Sequence, residues 1–386
     1  MAKRTNEITT PSRDRANPEM VRDWYRDNEK TFAEFVLNGP KAEVPSYPIN
    51  IFIEPINACN MACPFCATNY ETRTRQLLPF DIFRKFVDEM REDKIFPRLT
   101  FAGEGEPFLH KETAEMVRYA KEAGFNVWTI NNGSRFTREL TEQLINCRID
   151  RVQFSIDTVI AEKFDKMRVA KGVRDSFFDE VMGNILHFSR RNYEEGSPCF
   201  VSISSVQTEL NVGDAEAFKN FWYEMPFHNV FLAPLSTLQA TAPSEEAKEK
   251  QYTGVMKDKP LCAVPFNSGK LNSNGDINIC THDYNGVYAA GNVRLQRFSE
   301  IWNGQNSLKL RQALLDGDVE DFVKIGHDCE RCNNPLIGYG IDDYLKSTDE
   351  RIERTVSVFN TPAPLKDGED KYKKLLQRCK EFPVLA

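Results

Sequence analysis

The sequence predicts an α/β fold: a partial (β/α)6 TIM-like barrel followed by a small cysteine-bearing module. Three observations carry this prediction. Between residues 48 and 236 a short strand, a loop rich in polar or Gly residues and a helix alternate about six times, a pattern that gives parallel strands joined by right-handed crossovers. The apolar runs, such as 49–53 and 230–235, are strand-length and far short of the roughly 20 residues a membrane span needs. Most of the ten cysteines in the 386 residues gather in two places, 59–66 and 262–332.

The elements follow in order. Residues 1–47 hold a polar tail and one helix, opened by Asn17-Pro18 as N-cap and first turn. Its apolar period runs through Val21, Trp24, Tyr25, Asn28, Phe32, Phe35 and Val36 and stops at Gly39-Pro40. Strands are expected at Ile49–Glu54, Arg98–Ala102, Asn126–Ile130, Arg151–Ile156, Phe200–Val206 and Asn229–Ala233, with helices near 79–93, 110–123, 137–147, 175–194 and 213–224. Six units suit an incomplete barrel, spanning 48–240, better than one of eight strands. In the fourth strand Gln153, Ser155 and Asp157 share one face and Val152, Phe154 and Ile156 the other, which predicts a polar interior and an apolar packing surface for the helices. Residues 241–260, with Ala242-Pro243 and four lysines, read as a linker. Residues 261–345, richer in Asn, Gly and Cys, read as a separate small module, and 346–386 as a C-terminal extension with a helix over 367–380.

Composition narrows the function. Basic and acidic residues number 50 and 57, scattered along the chain for a net charge of −7, which argues against a phosphate-backbone surface and so against nucleic acid as a partner. No segment predicts a membrane partner. The start, Met1-Ala2-Lys3-Arg4, lacks the apolar core of a secretory signal, so a cytoplasmic location is expected. In that reducing compartment, clustered cysteines point to metal or catalysis rather than disulfides.

Cys59-Asn60-Met61-Ala62-Cys63-Pro64-Phe65-Cys66 gives C-x3-C-x2-C directly after the first strand. Three thiolates from one tight loop can hold three irons of a [4Fe–4S] cluster, which normally takes four Cys, leaving one iron open to an external ligand. Structural zinc is the alternative, but three thiolates without a nearby His are an unusual zinc set.

This loop resembles the signature of the radical S-adenosylmethionine (SAM) enzymes, with Phe65 as the aromatic that packs near the adenine. The resemblance implies that the open iron binds the amine and carboxylate of SAM, whose reductive cleavage gives a 5′-deoxyadenosyl radical that takes hydrogen from a small-molecule substrate. It also implies a reducing partner such as flavodoxin or ferredoxin. Further matches stand at strand ends. Gly103-Glu104-Gly105-Glu106-Pro107 resembles the family's Gly-Gly-Glu-Pro segment that holds the SAM amine, with Glu104 in place of its first Gly, so Gly105 and Glu106 are the expected contacts. Asn131-Asn132-Gly133 resembles Thr-Asn-Gly, Ser155 and Asp157 match the Ser-x-Asp pattern that reaches the ribose, and Arg168 matches an Arg that meets the SAM carboxylate.

The second gathering is Cys262, then Gly275 and Cys280, then Cys329-Glu330-Arg331-Cys332. On residues alone, zinc and iron–sulfur fit equally. The module resembles the SPASM/Twitch extension of radical SAM enzymes, including Gly291-Asn292-Val293 and Ile301-Trp302-Asn303. Gly338 and Asp342 stand where full SPASM modules continue with Cys, so the resemblance implies the shorter Twitch arrangement: a second [4Fe–4S] cluster on Cys262, Cys280, Cys329 and Cys332. The cysteine order resembles that of 2-deoxy-scyllo-inosamine dehydrogenase. Four thiolates leave no vacant iron, so the auxiliary cluster is expected to move electrons rather than anchor substrate.

The expected function is a radical SAM oxidoreductase, dehydrogenase-like, oxidising an alcohol of an aminocyclitol or sugar. Candidate substrate contacts are the inward Glu104, Gln153, Ser202 and Ser204. The alternatives are a radical epimerase of a sugar or peptide, in which Cys147, Cys199 or Cys379 would donate a hydrogen atom, and modification of a ribosomal peptide.

Overall fold

Each predicted barrel strand and helix forms, with ends shifted by a few residues. The computed structural model describes residues 18–172, 176–235, 259–327, 329, 332, 335, 340–341 and 367–382. Helix α1 (Pro18–Leu37) buries Val21, Tyr25, Asn28, Phe32, Phe35 and Val36, the stripe that the three- and four-residue spacing dictates. The strands β1 (Asn50–Ile53), β2 (Arg98–Phe101), β3 (Val127–Asn131), β4 (Arg151–Ser155), β5 (Phe200–Val206) and β6 (Asn229–Ala233) pair in parallel, each with its sequence neighbour. Helices α2 (Phe80–Glu92), α3 (Thr113–Glu122), α4 (Arg138–Asn146), α6 (Phe178–Glu194) and α7 (Ala215–Tyr223) return the chain between them. A further short helix, α5 (Ala161–Met167), lies in the β4–α6 connection.

The outward faces make the core. Phe154 of β4 meets Phe136 at 4.7 Å and Phe188 of α6 at 5.8 Å, and Phe83 of α2 meets Phe101 of β2 at 5.6 Å. Tilted and edge-to-face contacts of this kind add to the area that the rings bury.

The sheet does not end at the barrel. After α8 (Val264–Asn267), β7 (Ser268–Leu271) pairs in parallel with β1, and β8 (Asp276–Asn278) and β9 (Gly291–Asn292) continue antiparallel. The nine strands run β6-β5-β4-β3-β2-β1-β7-β8-β9 in one sheet. The second cysteine region is thus built on the free edge of β1. Beyond it, α9 (Phe298–Trp302) packs back on the barrel, where Phe298 meets Phe86 of α2 at 5.8 Å and Trp302 donates to the Ser46 carbonyl at 2.8 Å; α10 (Gln305–Asp316) lies against α8 and α9, and α11 (Glu320–Lys324) sets Phe322 against Tyr288 at 4.8 Å. The C-terminal helix α12 (Gly368–Glu381) lies on α6, with Tyr372 stacked on Tyr193 at 4.5 Å. Gly338, Asp342 and most of the expected linker and C-terminal extension fall outside the described residues.

The interior is less polar than the alternation in β4 predicts. Register places Lys270, Phe52, Thr100, Trp128 and Arg151 in one inward row, and Ser155, Ser204 and Phe231 in another. At the end where strands begin, Trp128 lies between two guanidinium groups, Arg98 at 3.8 Å and Arg151 at 4.5 Å.

Candidate active site

Parallel strands place every β-to-α loop at one end, and the Cys59–Cys66 loop leaves β1 at that end. It is pinned from two sides. Ala62 N donates to the Val169 carbonyl at 2.7 Å and Lys171 N to the Asn60 carbonyl at 2.9 Å, while Asn69 Nδ2 donates to the Cys63 carbonyl at 2.7 Å. Below it, Gly105 leaves no room for a side chain, because a Cβ there would lie 2.0 Å from the Ile56 carbonyl oxygen and 2.8 Å from Ala58 N. Glu106 N then donates to the Ala58 carbonyl at 2.9 Å.

The three sulfurs lie within electrostatic reach of one another. Burial pushes the Cys59 thiol up to about 11, helped by the Glu106 carboxylate, and the Cys63 thiol up to about 12, against the pull of Arg168. Ionising them needs the positive charge of bound metal. The four distal cysteines, Cys262, Cys280, Cys329 and Cys332, all line one cavity of about 80 Å³, together with His282, Tyr284 and His327. His327 Nδ1 lies 3.1 Å from Cys329 Sγ, a contact that can orient a ligand from outside the coordination sphere. Four thiols lining one space match the ligand number of a [4Fe–4S] cluster.

The expected SAM contacts gather around the first loop. Glu106 accepts from Asn132 N at 2.8 Å through Oε2 and from Phe108 N at 3.4 Å through Oε1. Asn132 Nδ2 reaches Asn60 Oδ1 at 3.0 Å and Cys59 Sγ at 3.8 Å. Phe65 faces Arg168, whose guanidinium carbon lies 5.9 Å from the ring centre. Ser155 ends β4 at the same mouth. Burial raises the Glu106 carboxyl to about 7, with the Asn132 and Phe108 amides pulling the other way. A cationic SAM amine favours the ionised form, so the expected sign is tighter binding above that value. SAM affinity of the cluster-loaded protein should weaken about tenfold from pH 8 to pH 6, measured by equilibrium binding; a flat profile would remove Glu106 from the amine site.

Several expected contacts are occupied by the protein itself. Asp157 holds φ +65°, and its two carboxylate oxygens go to Arg168 Nε at 2.6 Å and Val206 N at 2.7 Å. The Asp157 carboxylate thereby fixes Arg168. Glu104, expected to face substrate, is bound by Lys270 at 2.8 Å and Arg73 at 3.3 Å. Gln153, Ser202 and Ser204 bond inward, Arg151 Nε to Ser202 at 3.0 Å and Gln153 Nε2 to Ser204 at 3.2 Å, and Ser204 meets Ser155 at 3.1 Å. Ser155, at the outer end of that chain, is the best placed of them for an external ligand.

The unassigned thiols lie elsewhere. Cys147 caps α4 and Cys199, fully buried, precedes β5. Both stand where strands begin, a strand length or about 16 Å from the mouth. Cys379 is on α12, beside Arg190 and Glu194 on the outside of the barrel. Sequence reasoning did not find Asn60, Ser134 and Thr68, which buttress the loop, or Lys270; the only signal for Asn60 and Thr68 was their closeness to the cysteines.

Two family models match the chain: the radical SAM superfamily over residues 53–219 and the SPASM iron–sulfur cluster-binding domain over 262–333. The AdoMet-dependent heme synthase of Methanosarcina barkeri is 30% identical over 301 residues, which is 66% of this chain and 82% of that protein. Of the first curated relatives the chain matches, it spans 31%, 59% and 41% of their length. Among solved structures, anSMEcpe with bound AdoMet shares the fold at TM-score 0.53 and 13% identity, covering 86% of this chain and 98% of that one. BtrN in complex with AdoMet and 2-DOIA aligns at TM-score 0.48 and 17% identity, over 75% and 94%. No helix among the described residues is long and apolar enough to cross a membrane.

Proposed function

The chain belongs to the radical SAM superfamily and carries a SPASM iron–sulfur domain, and from that premise we propose that it removes two electrons from a small polar substrate, an alcohol of an aminocyclitol or sugar. Its cofactors are SAM and [4Fe–4S] clusters, which supply when bound a 5′-deoxyadenosyl radical and an electron acceptor. The protein's own part is placement. Cys59, Cys63 and Cys66 would hold the first cluster, Glu106, Asn132, Ser155 and Arg168 would orient SAM, and the barrel wall would exclude water from the radical. Radical SAM enzymes need a reductant, for which flavodoxin or ferredoxin is the proposed class.

The observation that carries this reading is the second cavity. Four cysteines line it, and four thiolates saturate a [4Fe–4S] cluster, so the site serves electron transfer and leaves substrate to the barrel mouth. The position of Cys147 and Cys199 at the opposite end argues against a redox-neutral epimerase quenched by either thiol. A second reading takes a substrate of the heme-forming class, favoured by the 82% of the heme synthase that the chain covers and by the aromatic Phe52, Trp128 and Phe231 in the inward rows.

Both readings are tested by one anaerobic assay with reductant and site-deuterated candidate substrates. Deuterium should appear in 5′-deoxyadenosine, with one SAM consumed per oxidised product. The Cys147→Ser/Cys199→Ser variant should turn over unchanged. An unoxidised, inverted product that fails to form in that variant would establish the epimerase instead.

A further inference from the structure

A charged network lies between the two cysteine sites, and neither set of ligands accounts for it. Glu54, just past β1, accepts from Arg73 twice, at 2.9 and 2.6 Å. Arg73 also meets Glu71 at 2.7 Å and Glu104 at 3.3 Å. The other oxygen of Glu104 accepts from Lys270 Nζ at 2.8 Å, and Lys270, 1% exposed, donates as well to the Asp283 carbonyl at 3.1 Å.

Both ends of the Lys270–Glu104 pair run on to a cysteine loop. The Glu104 carbonyl accepts from Thr68 Oγ1 at 2.6 Å, and Cys66 Sγ lies 3.2 Å from that hydroxyl. Asp283 N bonds the Cys280 carbonyl at 3.3 Å. Lys270 Nζ stands 6.0 Å from the ring centre of Tyr284, which lines the four-cysteine cavity.

Stability alone is a poor reason for such a pair. Desolvating two charges costs about as much as their attraction returns, and apolar replacements of equal volume are often no worse. Its consequence for a nearby redox centre is specific. A fixed buried cation favours the more negative, reduced state of a cluster, and net charge and hydrogen bonding are main levers on cluster potential.

We propose that Lys270, paired with Glu104, is a positioning residue that docks the auxiliary-cluster loop on the SAM-cluster loop and holds the auxiliary potential up, so that the auxiliary site can take the electron left on substrate. The proposal rests on reading the four-cysteine cavity as a cluster site. It concerns the acceptor and not the identity of the substrate.

The test uses the full chain with Cys59, Cys63 and Cys66 replaced by Ala, reconstituted anaerobically so that only the auxiliary cluster gives an EPR signal, and titrated against potential. Lys270→Met should lower the reduced-to-oxidised ratio at fixed poise about tenfold, a shift of about 59 mV for one electron. Lys270→Arg should restore most of it, and Glu104→Gln, which removes the compensating anion, should move the potential upward. An unchanged potential in Lys270→Met, or Lys270→Arg falling as far as Lys270→Met, overturns the proposal. Should Lys270→Met lose its iron, Glu104→Gln decides: an upward shift sustains the proposal, and no shift or a downward one ends it. Iron absent from the parent itself would instead refute the cluster reading.

Discussion

Gly105→Ala costs about 3 kcal/mol or more and strips the first cluster. The added methyl would meet the Ile56 carbonyl at 2.0 Å, the Ala58 carbonyl at 2.7 Å and Ala58 N at 2.8 Å. All three are backbone atoms, so no side chain can swing aside, and overpacking of this kind reaches the upper range of single-site effects. Relief requires moving residues 56–58, which lead into Cys59. The expected result is a lower thermal midpoint, together with loss of about four of the roughly eight irons that two such clusters hold per reconstituted chain. Alanine tolerated with full iron would mean that the loop does not lie on Gly105 as described.

Cys63→Ala should abolish 5′-deoxyadenosine formation while leaving the chain folded. Its sulfur is the most buried of the loop at 6% residue exposure, and two ligands cannot retain a cluster that normally takes four. Iron should fall from about eight to about four per chain, the remainder at the distal site. The complementary Cys329→Ala/Cys332→Ala variant, which likewise leaves two ligands, should also lose about four irons yet keep slow SAM cleavage, because neither residue lines the SAM-loop contacts. If the two variants lost iron and SAM cleavage in the same way, the two sites would not be separate.

The barrel was legible because its signals are local. Period-two alternation in Arg151–Ser155 and the helical stripe of Val21 to Val36 each name a buried face without reference to any neighbour. The cysteine loop was legible because its three ligands fall within eight residues. What escaped depends on pairing across distance. Ser268-Gly269-Lys270-Leu271 has little strand character by itself, and nothing local shows that it adds to β1 or that Lys270 faces inward; both follow from the Phe52–Lys270 register. For the same reason, the charges taken up by Glu104 and Asp157 could not be foreseen. Glu104 finds its partner Lys270 166 positions away, and Asp157 turns toward Arg168 through a left-handed backbone that sequence gives to few residues other than Gly.

The parallel seam between β1 and β7 also bears on how the protein matures. Its two strands are separated by more than two hundred residues, so on a ribosome adding about 5–20 residues per second β1 waits roughly ten to forty seconds for its partner. Through that interval the nascent chain carries its first cysteine loop beside an unfilled sheet edge. The edge of β1 is therefore filled only after all six barrel strands have been made.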